Sequence, residues 1–449
     1  MKKLQWMLLF LCGMVFPSVV GASLSPQRSV LGNGLVLLTS EQNSLPMVTL
    51  SLLIDAGSRL DSKGHGGLGN LTSRLLTYGT RQRTALQISD ALDFIGAEFS
   101  TSCSEEQVTV NLTVLKKDLE TGLSLLGEIL TVSTFPPEEI ERQKQSVIAS
   151  IKAKGEQPGE VAEIKFLDAL FPGSPYGRPV EGTEDSVKAI ERTNLVEFYE
   201  RYYRPGRAIL AVVGDISHRE VMEKLSKSFE GWKKGAPVKT VPSFPPPGPV
   251  KWLQINKDLV QANIILGHEG IPRNHPDYYA IQVMNYILGG GGFSSRMTDS
   301  IRNERGLAYS VYSMFQAEKY AGTFQIVMQT KNESAGQAIR IAMEEIRRMQ
   351  NQGVSAEELE EAKSFLVGSF PLRLDTNRKI VNFLAQEEFY GLGLDYPERY
   401  PQLIQRVSRE DVLRTAKLYL KPENLIVVVV ANQEKAKINK ATFPSDPAR

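Results

Sequence analysis

The sequence predicts an α+β fold of two homologous domains, each a mixed sheet with helices on one face, joined by a proline-rich linker. Three observations support it. Trp232 to Val250 (residues 232–250) hold Pro237, Pro242, Pro245, Pro246, Pro247 and Pro249, a density that neither a helix interior nor a central strand tolerates, so the segment reads as a semi-rigid extended connection. The stretches on either side, 23–231 and 251–449, are of similar length and repeat one another. Thr193 to Asp215 runs as an amphipathic helix (Leu195, Phe198, Tyr202), a break at Arg204-Pro205, and a buried strand from Ala208 to Val213. Glu410 to Asn432 gives the same order with Val412, Ala416 and Tyr419, then Lys421-Pro422, then Leu425 to Val430. The third observation is a second echo: Pro137-Glu138-Glu139-Ile140-Glu141 and Ala356-Glu357-Glu358-Leu359-Glu360 each open a long helix.

At the N-terminus, Lys2 and Lys3 precede an apolar run from Leu4 to Val20, and Val20-Gly21-Ala22 precedes polar Ser23. Residues 1–22 therefore read as a secretory signal peptide. A membrane anchor is the competing reading, but Gly13 and Pro17 break the run, which is short for a span of about 20 residues. Cys12 raises a lipoprotein, against which Leu11 is bulky for the residue before a lipidated cysteine. The mature chain is expected to be exported and periplasmic, with no stable membrane span. Only Cys103 survives cleavage, so no intrachain disulfide can form.

In the first copy, Val36-Leu37-Leu38 and Met47 to Asp55 read as strands, Leu68 to Tyr78 as an apolar-periodic helix closed by Gly79, and Val108 to Val114 as a half-buried strand. In the second, Ala262 to Leu266 and Thr323 to Met328 are the comparable strands, and Tyr278 to Leu288 is a helix running into Gly289 to Gly292. The chain is 42% hydrophobic, enough to bury two cores. Its 52 Lys+Arg against 51 Asp+Glu are spread without a strongly one-signed stretch, which argues against a nucleic-acid partner.

In order along the chain stand Gly57-Ser58-Arg59, a helix closing on Tyr78-Gly79-Thr80, Tyr176-Gly177-Arg178-Pro179 with Gly182-Thr183, a Gly-rich run from Gly290 to Arg296, and Arg305-Gly306-Leu307-Ala308-Tyr309-Ser310-Val311. This succession resembles the pitrilysin/insulinase family of inverzincin metallopeptidases, in its bacterial, processing-peptidase-like branch, over nearly the whole mature chain. The resemblance implies two homologous domains closed as a clamshell. It also implies an H-x-x-E-H motif on a first-domain helix, with two zinc-binding histidines and a general-base glutamate. Here Gly67 to Leu76 occupies that stretch, so the ligand positions fall on Asn70 and Arg74, the base position on Ser73, and the distal glutamate's position on Ser150. Zinc takes His, Cys, Asp or Glu; Asn and Ser are poor ligands and Arg is a permanent cation that repels the metal. No zinc or other cofactor is expected in this chain. His65, His218, His268 and His275 include no pair one turn apart on an expected helix, and His268 and His275, flanking Gly270-Ile271-Pro272, read as surface-loop residues.

For the second domain, the resemblance implies an arginine at a helix end and a tyrosine seven positions later on the next strand, together clamping a substrate carbonyl. Arg302 and Tyr309 match it. The residues agree: Met297 to Arg305 reads as a helix capped by Gly306, and Leu307 to Met314 alternates as a strand with Tyr309 on one face. The competing reading pairs Arg302 with Glu304 or another acid and leaves Tyr309 merely packed. Gly289 to Gly292 follows a helix and lacks a Gly-Lys-Ser/Thr ending, so a P-loop is not expected; its backbone would admit a partner or peptide.

The function implied is that of a non-catalytic, zinc-free subunit of an exported heterodimeric zinc metallopeptidase. It would lend Arg302 and Tyr309 to a homologous H-x-x-E-H subunit that carries the zinc. Substrates would be peptides or unfolded segments, held in extended form along a strand edge for which Glu98, Phe99, Ser100 and Thr101 are the candidates. The rivals are a peptide-binding or scaffold protein on the same fold and a self-sufficient metalloendopeptidase with atypical ligands.

Overall fold

The computed structural model describes residues 24–229, 231–235, 242, 244 and 248–439. Residues 1–22, read from the sequence as a signal peptide, and, within the linker, Pro237 and Pro245 to Pro247 lie outside the described residues. The first half carries strands β1 (Gln27–Val30), β2 (Val36–Glu41), β3 (Met47–Ile54), β4 (Glu98–Cys103), β5 (Val108–Leu115) and β6 (Ala208–Gly214). Its helices are α1 (Leu68–Arg74), α2 (Ala85–Phe94), α3 (Leu119–Val132), α4 (Pro137–Glu156), α5 (Pro158–Leu170), α6 (Glu184–Ala189), α7 (Arg192–Tyr202) and α8 (His218–Ser228). The second half adds β7 (Lys251–Asn256), β8 (Gln261–Glu269), β9 (Ala308–Ala317), β10 (Gly322–Lys331) and β11 (Ile426–Ala431). With them come α9 (Tyr278–Asn285), α10 (Ala335–Gln352), α11 (Ala356–Ser369), α12 (Asn377–Tyr390), α13 (Tyr396–Gln405), α14 (Arg409–Tyr419) and α15 (Gln433–Ala436).

The two sheets run β1-β2-β6-β3-β5-β4 and β7-β11-β8-β10-β9. Apart from β1, the orders match place for place, down to the parallel pairing of β2 with β6 and of β7 with β11 in otherwise antiparallel sheets. The α+β duplication is thus visible in topology as well as in the repeated helix–proline–strand segment. Strands β4 and β9 are the matching free edges, each paired on one side only.

Helices were expected on one face of each sheet, and here the structure differs. Each sheet is covered on its second face by a helix from the other half: α12 lies on β3 and β6, and α5 lies on β8 and β11. The period-two alternation of the strands sorts their side chains between two cores. On β6, Leu210 and Val212 face the first half's own helices, whereas Ala211 and Val213 pack with Ile380, Val381, Leu384 and Phe389 of α12. On β11, Val427 and Val429 face the second half's helices, whereas Val428 and Val430 pack with Ala162 and Phe166 of α5. The all-apolar character of these strands is the trace of that double burial.

Two further expectations are corrected. His268 is not a loop residue: it lies on β8, 1% exposed, its ring against Phe324 at 4.9 Å. Burial pushes its pKa down to about 4, and it accepts the Lys421 N–H at Nε2 (3.0 Å). Trp232, placed at the head of the linker, packs in the first core and donates from Nε1 to the Tyr203 carbonyl at 2.9 Å.

Candidate functional site

Arg302 and Tyr309 are brought together in the second half. The two helices expected in the segment leading to them, Tyr278 to Leu288 and Met297 to Arg305, are in part π-helical. Helix α9 ends at Asn285, π-helical turns span Tyr286–Gly290 and Thr298–Asn303, and Gly306, at φ +59°, reverses the chain into β9. Such wide turns re-aim side chains and occur preferentially at functional places. Several contacts hold this segment. Asn285 donates to the Ser313 carbonyl at 3.1 Å and accepts the Ser313 hydroxyl at 2.8 Å; Arg296 forks onto Glu358 at 2.6 and 2.8 Å and reaches the Gly353 carbonyl. Gly289 is needed for close approach, though to β9 of this chain, since a Cβ there would lie 2.4 Å from Ser313 Oγ.

Held this way, the Arg302 guanidinium sits 4.8 Å from the centre of the Phe293 ring and 5.8 Å from that of Tyr309. Its expected rival partner, Glu304, is taken by Arg305 at 2.6 Å. Tyr309 does not pack away: it is 74% exposed. On β9, Ser310 pairs with Gln329 and Ala308 with Thr330, so Tyr309 is the extra residue of a β-bulge, the device that turns a side chain out of the regular alternation. Phe293, 71% exposed, was missed from the sequence; its only signal was an aromatic in a glycine-rich run.

The degenerate positions lie in the first half. Asn70, Ser73 and Arg74 stand on α1, whose entry is fixed by Asp61: its carboxylate accepts the N–H groups of Gly67 and Gly69, both at 2.8 Å. Burial raises Asp61 to about 7 against the pull of those donors. Ser73 is buried and donates back to the Asn70 carbonyl at 2.8 Å. The Asn70 side-chain oxygen is enclosed without a partner. Arg74 is exposed and reaches across to Gln143 and Ser146 of α4, each at 3.4 Å. Ser150, one turn beyond Ser146, is exposed, and no hydrogen bond joins it to α1 among the described residues. Likewise none joins this group to Arg302 or Tyr309. The candidate strand Glu98 to Thr101 is part of the free edge β4, with Phe99 turned toward the helices and Glu98 held by Arg378 of α12 at 2.5 Å.

Sequence reading also missed a charged seam between the halves. Glu106, in the turn between β4 and β5, accepts the Tyr176 hydroxyl and the backbone N–H groups of Lys319 (3.0 Å) and Tyr320 (3.2 Å) from the turn between β9 and β10. Arg59 lies over the Tyr320 ring at 5.1 Å and pairs with Asp55, as does Arg207 at 2.8 Å. Tyr390 of α12 donates to Glu318 at 3.1 Å, and burial together with the Glu106 charge pushes Glu318 up to about 7. Arg59 and Tyr176 belong to short motifs singled out in the sequence, but only the fold shows that they bind one half to the other.

A family model described as "Insulinase (Peptidase family M16)" matches residues 36–184, and one described as "Peptidase M16 inactive domain" matches residues 189–366. The chain belongs to the insulinase (M16) family. A solved structure described as the peptidase M16 inactive domain from Pseudomonas fluorescens superposes with a TM-score of 0.86 at 28% identity, covering 91% of this chain and 98% of that one. An uncharacterized zinc protease of Streptomyces coelicolor is 27% identical, with 92% of each chain covered. A Helicobacter pylori protein named a non-peptidase homolog is 25% identical over 89% of this chain and 93% of its own. As an M16 chain it has the two-domain clamshell but lacks the zinc motif. The metal does not fit here: Asn70, Ser73 and Ser150 are neutral and Arg74 puts a fixed cation where a ligand belongs. Among the described residues, no three of His, Cys, Asp or Glu converge as a metal site, and no helix is long and apolar enough to cross a membrane.

Proposed function

We propose that this chain is the zinc-free, non-catalytic subunit of an exported heterodimeric zinc metallopeptidase, lending Arg302 and Tyr309 to a homologous H-x-x-E-H subunit. The observation that carries the reading is the outward pair itself: a guanidinium with no carboxylate partner among the described residues, beside a phenol that a bulge leaves exposed. Both groups donate hydrogen bonds, and donors placed at a developing oxyanion stabilise the transition state by about 3 kcal/mol each. Peptides or unfolded segments are the substrates, held by main-chain hydrogen bonds along the free edge β4 from Glu98 to Thr101. The name of the Helicobacter pylori relative agrees with a chain inactive on its own. Export rests on residues 1–22.

The test mixes this chain with an H-x-x-E-H subunit of the same organism and follows cleavage of a fluorogenic peptide, with each chain alone as control. Activity is expected only in the mixture, and Arg302→Ala should lower it about 100-fold or more with the complex intact. A stable complex without activity, or one indifferent to Arg302→Ala, leaves the scaffold reading in its place.

A further inference from the structure

We propose that Arg74 is a carboxylate-binding site for the C-terminus of a peptide lying extended beside β4. The proposal rests on the peptide-binding part of the reading above and needs no partner subunit.

The first ground is the state of the guanidinium. Arg74 is exposed, and its Nε and Nη2 groups donate only to neutral oxygens, Gln143 Oε1 and Ser146 Oγ, both at 3.4 Å. Charge-assisted bonds run closer to 2.8 Å, so these two are readily exchanged for a better acceptor. No carboxylate among the described residues pairs with Arg74; on the facing helix Glu139 is held by Arg142. A guanidinium offers two parallel N–H groups to one carboxylate, a geometry that a lysine does not supply.

The second ground is Asn70, one turn earlier on the same face of α1. Its side-chain oxygen is enclosed without a donor, so turning the amide toward a bound chain gains it a peptide N–H. An unfilled acceptor and a guanidinium one helical turn apart, roughly 6 Å between their Cβ atoms, match the N–H and the terminal carboxylate of a single residue. That spacing favours a chain end over an acidic side chain. Third, a cavity of ≈ 520 Å³ opens one turn further along, with Thr77, Tyr78, Leu92, Phe99 and Arg142 in its wall. The cavity lies between Thr77 and Tyr78, which follow α1, and Phe99 of the edge strand β4, and has room for a side chain of the same ligand.

The experiment uses the mature chain alone and fluorescence anisotropy. The probes are a labelled short apolar peptide with a free C-terminal carboxylate, the same peptide as its C-terminal amide, and an amide whose last residue is glutamate. The free acid should bind about tenfold more tightly than either amide. Arg74→Gln should erase that preference while leaving the affinity for the amides and the melting temperature unchanged. Equal binding of acid and amide overturns the proposal, as does a preference that survives Arg74→Gln, a glutamate amide that equals the free acid, or binding of none of the three. Amides bound without any acid preference would sink the Arg74 site while sparing the peptide-binding reading, and activity of the mixed subunits does not enter the measurement.

Discussion

Among the described residues the Arg302 guanidinium pairs with no acid and lies instead against the rings of Phe293 and Tyr309. Tyr309→Phe keeps the ring under Arg302 and removes only the hydroxyl, so it separates packing from hydrogen bonding. Because the residue is exposed, the melting temperature should stay the same, while cleavage by the mixed subunits should fall by about two orders of magnitude, read as kcat with KM little changed. A fall in stability of the same size as the fall in rate would count against the assignment. On α1 a single residue type decides the metal question. An arginine is no zinc ligand, so with Arg74 in a ligand position metal analysis of the purified chain should find far less than one zinc per molecule, and a chelator should leave its melting temperature unshifted. Stoichiometric zinc would return the self-sufficient peptidase to contention.

At the scale of elements, the exchanged helices α5 and α12 couple the halves more tightly than a linker can. Phe166 of α5 is fully buried against β8, where Gly267 leaves it room: a Cβ on Gly267 would stand 2.7 Å from the Phe166 ring and 2.2 Å from the Phe324 carbonyl. Phe166→Ala should cost about 3–5 kcal/mol, the usual range for emptying a large aromatic site, and should lower the one denaturation midpoint of the whole chain. Two separated transitions, with only one shifted, would show that α5 does not join the halves. The edges β4 and β9 are the opposite case. Each is a terminal strand with one side unpaired, and one carries the candidate peptide contact while the other carries the bulge that exposes Tyr309.

For the whole molecule, the seam around Glu106 predicts a pH response. Glu318 faces Glu106 from the first half and Tyr390 from α12, and burial with the Glu106 charge lifts it to about 7; burial lifts Glu387 of α12, both of whose carboxyl oxygens lack partners, to about 9. An acid whose folded pKa lies above its unfolded value of 4.5 binds more protons folded than unfolded between the two. Its contribution is therefore complete below 4.5 and is lost as pH rises through about 7 for Glu318 and about 9 for Glu387. His268 acts in the other direction: lowered from 6.5 to about 4, it favours the folded state above 6.5 and that contribution is lost on acidification toward 4. Calorimetry should show the melting temperature declining from mildly acidic to alkaline pH, and Glu318→Gln should flatten the decline around neutrality. An unchanged slope in the variant would mean that this carboxyl does not titrate with folding.

What could be read from residues alone was whatever a local pattern encodes. The duplication was legible because a helix, a proline and an apolar strand recur in order, and the missing metal site because ligand chemistry depends on residue type: Asn70, Ser73, Arg74 and Ser150 stay poor ligands in any fold. The alternation of β5 marked it as half-buried, whereas the unbroken apolar runs of β6 and β11 could not say which helix lay on which side. Only the tertiary structure decided that α5 and α12 cross over, that His268 is enclosed, that Glu304 goes to Arg305, and that Glu106 of one half holds Lys319 and Tyr320 of the other. The physical reason is range: capping, alternation and ligand type act within a few residues of sequence, while these contacts join groups far apart along the chain whose meeting depends on how two whole sheets are packed.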